Sequence, residues 1–151
     1  CGLSSIAPHI VSCTRKLGDT FPMNSPLIAL VEDDDEIRSS LVDLLSFEGY
    51  EVVAFENGKK AVEGLQNVEK PYLILLDWMM PVMNGEQFLR ARATLDHLGD
   101  QVPVVVVSAV AGQAQGYPGV EAAVKKPVDI AQLFRLIDKY VPRPEGRALV
   151  S

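Results

Sequence analysis

Cysteine is scarce in this sequence of 151 residues, which contains only Cys1 and Cys13. Both lie in the first 25 residues, where prolines and glycines interrupt any apolar period. That composition predicts an N-terminal tail or linker over residues 1–25. A disulfide-stapled scaffold is therefore excluded for the patterned part of the chain, and a reducing, cytoplasmic setting fits better.

Positive charge and long apolar runs are also lacking. Fourteen basic residues against twenty acidic ones give a net charge of −6, the wrong sign for a protein that binds DNA or RNA through its phosphates. The longest apolar runs, 27–31 and 72–76, have five residues each, whereas a membrane-spanning helix needs about 20. We therefore expect no direct nucleic-acid binding and no membrane insertion.

From residue 26 onward, short apolar segments alternate with amphipathic ones. Fully apolar runs are typical of strands buried on both faces, which form parallel sheets covered by helices. This predicts an α/β domain over 26–142 with a tail over 143–151, and the flavodoxin-like doubly wound order 2-1-3-4-5 is among the few topologies that fit. The expected strands are 27–31, 50–55, 72–76, 104–107 and a weak one at 122–124; the expected helices are 37–49, 59–66, one starting near Gly85, and 130–141 with Asp129 as its N-cap.

Two helix faces follow from spacing alone. Ile37, Leu41, Leu44 and Leu45 recur at i, i+4, i+7 and i+8, which predicts the buried face of the first helix. In the third helix, Arg90 and Arg92 are interpreted as a solvated face.

Polar side chains follow four of the five predicted strands. Glu32 and Asp33 come after the first strand, Asp77 after the third, Ser108 after the fourth and Lys126 after the fifth. In the order 2-1-3-4-5 these strands are neighbours, and their carboxyl ends share one edge of the sheet. Each residue alone has a simpler interpretation as a turn former, a cap or a surface residue, but their joint placement favours a site.

These residue types suit magnesium-assisted acceptance of a phosphoryl group. Converging carboxylates repel one another unless a cation neutralises them, and an oxygen-only set without His or Cys suits Mg²⁺ better than zinc or copper. The Asp77 carboxylate can attack phosphorus and form an aspartyl phosphate. Lys126 would neutralise charge, and Ser108 would donate a hydrogen bond to a phosphoryl oxygen.

Four motifs also carry a resemblance to a known family. They are Val31-Glu32-Asp33-Asp34, Leu75-Leu76-Asp77-Trp78-Met79-Met80-Pro81-Val82-Met83-Asn84-Gly85, Val107-Ser108-Ala109 and Lys126-Pro127. With this order and spacing, roughly residues 27–141 resemble the receiver domain of bacterial two-component response regulators, including stand-alone chemotaxis receivers. The resemblance implies a phosphoacceptor switch in a phosphorelay and not an enzyme. It also implies a histidine kinase or histidine phosphotransfer protein as phosphodonor and a downstream protein as target.

The resemblance assigns roles to individual residues. Asp77 is the phosphoacceptor, Ser108 and Lys126 contact the phosphoryl group, and the metal ligands are Asp33 directly, Glu32 through water, Asp77, and the main-chain carbonyl of Met79. The Lys126–Pro127 peptide is expected to be cis. Gly85 is expected in a turn where glycine tolerates a positive φ, and Trp78 is expected in the loop beside the metal pocket rather than in the core.

The sequence departs from the family pattern at several positions. Ala123 stands where the family commonly has an aromatic that responds to activation. Residues 109–119 are rich in glycine, which predicts a short, distorted or mobile fourth helix. Met79 and Val110 are apolar at the two positions that tune phosphate loss, which suggests slow self-dephosphorylation.

Two other functions remain open. One is a pseudo-receiver that serves only as a docking module. The other is an aspartyl-phosphate phosphatase of the haloacid dehalogenase type, although Met79 occupies the position of the second carboxylate that this chemistry needs. Only ten residues follow Val141, so we expect a stand-alone receiver or one cut from a larger chain; the sequence leaves the oligomeric state open.

Overall fold

The computed structural model describes residues 25–95 and 102–144, which contain five strands and five helices in alternation. The strands are β1 Leu27–Val31, β2 Glu51–Phe55, β3 Leu73–Leu76, β4 Val104–Ser108 and β5 Val120–Lys125. The helices are α1 Asp35–Phe47, α2 Gly58–Leu65, α3 Gly85–Arg92, α4 Ala111–Ala114 and α5 Ile130–Tyr140. Apart from residues 25, 143 and 144, the expected tails lie outside the described residues, so the proposed domain bounds stay a prediction.

The strands pair in parallel in the order β2-β1-β3-β4-β5, which confirms the predicted flavodoxin-like doubly wound class. The first four strands are buried along their whole length, as their solid apolar runs require. The edge strand β5 is partly exposed and begins at Val120, two residues before the weak strand predicted at 122–124. Pairing with β4, which includes an irregularity between Val104 and Val105, extends it beyond its weak apolar pattern.

Alternating side chains divide the core into two layers, one on each face of the sheet. On one face Leu41 and Leu45 of α1 and Leu133 and Ile137 of α5 pack against the strands. On the other face Leu65 of α2 and Phe88 of α3 do so. The carboxyl ends of β1, β3 and β4 therefore lie together at one edge of the sheet, between the helices that pack on its two faces.

The helices begin where short polar side chains can accept the first free N–H groups. The N-caps are Asp34, Asn57, Asn84 and Asp129, each accepting from the N–H three residues later. The prediction of Asp129 as a cap is thereby confirmed. α4 differs, because it has only four residues and, within the described part of the chain, no side chain caps it. The prediction of a short fourth helix is confirmed.

The buried face of α1 shares Leu41 and Leu45 with the predicted face but is rotated towards Arg38 and Val42. Its buried members are Arg38, Leu41, Val42 and Leu45, whereas Ile37 and Leu44 are only half-buried. The prediction placed only apolar side chains inward and missed the arginine that occupies the first position of the i, i+3, i+4, i+7 stripe.

Interpreting Arg92 as solvated was wrong. It is 2% exposed, and its Nη1 donates to the Val102 carbonyl at 2.6 Å, which ties α3 to the segment that enters β4. Arg90 does lie in solvent, where it pairs with Glu86 at 2.8 Å.

None of the helices in the described residues is both long enough and apolar enough to span a bilayer.

Candidate phosphoacceptor site

The sheet itself positions two of the carboxylates. The Glu32 N–H donates to the Phe55 carbonyl at 3.0 Å, and the Asp77 N–H donates to the Val31 carbonyl at 2.9 Å. Each bond continues the strand ladder by one residue beyond β1 or β3, so the two side chains leave the sheet at the same edge. Both residues are buried, with 2% and 6% of their surfaces exposed.

Three predicted metal ligands converge at this edge. Carboxylate oxygens of Glu32, Asp33 and Asp77 all lie within 4.8 Å of one another, and Asp33 is the exposed member. This spacing and the oxygen-only donor set fit a hard divalent cation such as Mg²⁺. Without such a cation, three like charges would have to share one pocket.

Lys126 contacts two of the three carboxylates. Its Nζ lies 2.5 Å from Glu32 Oε1 and 3.4 Å from Asp77 Oδ2. Its backbone N–H donates to the Ser108 carbonyl at 3.1 Å, and its peptide bond to Pro127 is cis, as expected. The structure therefore brings Lys126 together with the carboxylates after β1 and β3.

Burial and neighbouring charges both shift the pKa values of these groups. Burial raises the pKa of Glu32 to about 8; Lys126 opposes this rise and Asp77 adds to it. Although Asp33 is exposed overall, the partial burial of its carboxyl, followed by the neighbouring Asp77, also raises its pKa. For Lys126, burial lowers the pKa, but the Glu32 and Asp77 carboxylates outweigh it and the net shift is upward. One ammonium thus compensates only part of the negative charge of three carboxylates.

Ser108 ends β4, and Met79 lies in the loop after β3. Ser108 is buried at the end of β4, and its Oγ accepts a hydrogen bond from the Val110 N–H at 3.3 Å, which leaves the hydroxyl proton to be donated elsewhere. The Met79 N–H donates to Asp77 Oδ1 at 3.3 Å, while the Met79 side chain is exposed. The loop after β3 therefore orients the Asp77 carboxylate through its main chain.

Trp78 and Gly85 differ from their predictions. Trp78 is buried in the core layer formed with α2 and α3, and its indole contacts the Tyr117 ring edge-on, with centroids 5.3 Å apart. Gly85 does not have a positive φ; the residue with one in this loop is Val82, at 69°. Glycine is required at position 85 for space, since an added Cβ would lie 2.6 Å from Trp78 Cε3 and 3.1 Å from the Asp77 carbonyl oxygen.

Arg38 is a residue of the site that the sequence interpretation missed. Its Nη1 donates to the Glu32 carbonyl at 2.9 Å, and its Nη2 pairs with the Asp35 carboxylate. Its place in the apolar stripe of α1 was the available signal, because an arginine that is buried on such a face needs a partner for its charge.

The sequence also matches a known protein family. The family description "response regulator receiver domain" matches residues 28–138. The chain belongs to the response regulator receiver domain family. Receiver domains are regulatory phosphoacceptor modules of two-component systems rather than classical enzymes, so the recognition of this class from the four motifs is confirmed.

Individual relatives of this receiver domain are moderately similar in sequence. Protein Rrf1 of Nitratidesulfovibrio vulgaris is 34% identical over 112 residues, covering 74% of this chain and 80% of Rrf1. Response regulator MprA of Mycolicibacterium vanbaalenii is 30% identical over 117 residues, covering 78% of this chain but 43% of MprA. The receiver domain thus spans less than half the length of MprA.

Solved structures agree with the fold. The receiver domain of sensor histidine kinase PA1611 from Pseudomonas aeruginosa PAO1 is 25% identical, with a TM-score of 0.67 over 77% of this chain and 97% of that chain. In that protein a magnesium ion is coordinated in the active-site cleft. Chemotaxis protein CheY4 of Vibrio cholerae, 23% identical with a TM-score of 0.68 over 78% of this chain and 99% of that chain, shares the fold.

Proposed function

We propose that this receiver domain is a switch in which Asp77 accepts a phosphoryl group in a Mg²⁺-dependent reaction. The observation that carries the proposal is the convergence of three carboxylates within 4.8 Å, with Lys126 in contact with two of them. A docking module without this chemistry would have no use for buried like charges at the end of the sheet.

The transfer step uses the side chains in distinct roles. An Asp77 oxygen attacks phosphorus, and the phosphorus–nitrogen bond of a phosphohistidine breaks as the acyl phosphate forms. The Met79 N–H, 3.3 Å from Asp77 Oδ1, orients the attacking carboxylate. Lys126 balances the charge of the arriving phosphoryl oxygens, and Ser108 donates its hydroxyl proton to one of them.

The residues that would hold Mg²⁺ are Asp33, Asp77, Glu32 through water, and the main-chain carbonyl of Met79. When bound, Mg²⁺ neutralises the charge that develops on the phosphoryl oxygens. The raised pKa values of Glu32 and Asp33 agree with the assignment, because burial first and the neighbouring Asp77 second disfavour their ionised forms, and a bound cation would favour them. The magnesium ion coordinated in PA1611 supports it as well.

The proposed phosphodonor is a histidine kinase or a histidine phosphotransfer protein. Lys126 is one of the residues that line a cavity of about 350 Å³. Because the Lys126 ammonium also contacts Asp77, the largely apolar surface of this cavity lies close to the phosphoacceptor. Its apolar lining includes Ile37, Pro127, Val128 and the exposed Ile130. A donor domain that delivers phosphorus to Asp77 must cover the surface next to this pocket. We place the exchange in the cytoplasm, with a downstream protein as the target of the altered surface.

The proposal is tested by incubating the full chain with acetyl phosphate and Mg²⁺ and then measuring the intact mass. We expect a gain of one phosphoryl group, its loss in Asp77→Asn, and an unchanged gain in Asp43→Asn, which alters an exposed aspartate on α1. EDTA should prevent the gain. If the wild-type protein gains no mass, the pseudo-receiver interpretation replaces this one; if it hydrolyses phosphate esters with turnover, the phosphatase interpretation does.

A further inference from the structure

Arg38 is a buried charge at the site whose role lies outside the phosphoryl chemistry. The residue is 7% exposed, and its guanidinium lies between the end of β1 and the start of α1. One arm donates to the Glu32 carbonyl at 2.9 Å and the other pairs with Asp35, whose side chain is largely in solvent. A guanidinium suits this task, because its donors are held in a rigid, planar fork.

The bond to the Glu32 carbonyl completes the fixation of a very short loop. Only residues 32–34 connect β1 to α1. The loop is held at its start by the Glu32 N–H bond to β2, and at its end by the Asp34 side chain, which accepts from the Ile37 N–H at 3.0 Å. Arg38 holds the peptide group between Glu32 and Asp33, and the plane of that peptide sets the directions in which both carboxylates point.

We propose that Arg38 is a positioning residue for the cation site: it fixes the Glu32–Asp33 peptide so that both carboxylates face Asp77 before the divalent cation arrives. This inference rests on the proposed function. Groups that orient metal ligands without touching the metal commonly change the affinity by roughly 10- to 100-fold when they are removed.

An effect of charge and an effect of position predict opposite changes in Mg²⁺ affinity when Arg38 is removed. Arginine keeps its positive charge in proteins, so its removal beside a cation pocket should tighten Mg²⁺ binding if charge alone mattered. If Arg38 acts by position, its removal should weaken binding. The sign of the change in affinity therefore separates the two roles.

The chain offers a matched control at the opposite end of the sheet. Arg92 is also buried, projects from a helix, and donates through Nη1 to a backbone carbonyl, that of Val102. Val102 precedes the first residue of β4, whereas the carboxylates follow the last residues of β1 and β3. Arg38→Met and Arg92→Met therefore remove the same kind of buried bond, but only the first lies at the site.

The experiment measures the Mg²⁺ dissociation constant by calorimetry and the metal-free melting temperature for the wild type, Arg38→Met and Arg92→Met. We expect both variants to melt at lower temperature, Arg38→Met to bind Mg²⁺ about 10-fold more weakly or worse, and Arg92→Met to bind within twofold of the wild type. Tighter or unchanged binding by Arg38→Met overturns the inference, as does equal weakening in Arg92→Met.

A conservative variant and the wild type cover the remaining outcomes. Arg38→Lys retains the charge and can donate from one nitrogen but lacks the planar fork, so it should lose affinity by a smaller factor than Arg38→Met. If Arg38→Met does not fold, the decision passes to Arg38→Lys, for which wild-type affinity overturns the inference. If the wild-type protein itself binds no Mg²⁺, the proposed function fails first, and that result differs from a failure confined to the comparison of variants.

Discussion

The connections that follow β3 and β4 leave neighbouring strands, yet they are built in opposite ways. After β3, the Gly85 N–H donates to the Trp78 carbonyl at 2.9 Å, and Asn84 and Gln87 close a reciprocal capping box. After β4, the helix is a single turn, and an added Cβ on Gly112 would meet nothing within 4 Å among the described residues. The first connection is fixed by a capping box and a close approach of the main chain, whereas the helix of the second has no side-chain cap among the described residues, although its Ala111 and Ala114 are buried.

This difference agrees with the role of the functional residue at the start of each connection. The β3 connection begins with Asp77, whose carboxylate must already be oriented when phosphorus arrives. The β4 connection begins with Ser108, whose hydroxyl is expected to respond to the new phosphoryl group. A single helical turn without a side-chain cap can rearrange at a lower free-energy cost than a capped helix that packs on the loop before it. We therefore expect chemistry to depend on the β3 side and conformational response on the β4 side.

The largest expected effect is on stability, when one methyl group is added to each connection. In Gly85→Ala the new Cβ meets the main chain of Trp78 and Asp77, which cannot rotate away, so we expect the free energy of unfolding to fall by about 1–3 kcal/mol. Gly112→Ala adds a methyl to an open helix position and should be neutral or stabilising by up to about 1 kcal/mol. Chemical denaturation measures both, and equal losses in the two variants would show that the connections are equally packed.

The fold could be predicted from the sequence because its main determinants are local. Apolar runs mark the strands, and short polar residues after them mark both the edge of the sheet and the site. The helical face of α1 was misplaced because a buried arginine does not register as apolar, so Arg38 was overlooked. The positions of Trp78 and Gly85 depend on how the β3 loop folds back on itself, which no spacing along the chain contains.

The next effect concerns coupling between the two connections. Lys126 bridges them, since its Nζ contacts Asp77 while its N–H donates to Ser108 of β4. We expect Lys126→Ala to accept phosphate from acetyl phosphate but to lose the phosphorylation-dependent change in hydrogen exchange over residues 109–119. The control is Lys125→Ala, which alters the exposed neighbour. If Lys126→Ala keeps the wild-type change in hydrogen exchange, Lys126 does not couple the two connections.

A smaller effect is expected on stability in metal-free buffer. The raised pKa of Asp33, caused by burial and by Asp77, means that its ionised form is disfavoured in the folded state. That penalty is present at neutral pH and disappears as the pH falls below the ordinary value of 3.8. Asp33→Ala should therefore raise the metal-free melting temperature slightly at pH 7 and not at pH 3.5, while Asp43→Ala on α1 should show no such difference. A lower melting temperature at pH 7 would contradict the repulsion among the carboxylates.

The smallest effect should appear in the fluorescence of the single tryptophan. Trp78 follows Asp77 in the chain, but its indole is buried and contacts Tyr117 of the segment that leads into β5. Mg²⁺ alone should therefore change its emission only slightly, because the ring is buried in the core layer. Mg²⁺ with beryllofluoride, which occupies the phosphoryl position, should change the emission more, because a rearrangement after β4 would move Tyr117 away from the indole edge. Tyr117→Leu should remove most of this second change, and Asp33→Ala should weaken both. If Mg²⁺ alone produces the full change, the indole senses the cation directly, and the segment after β4 is not the part that responds.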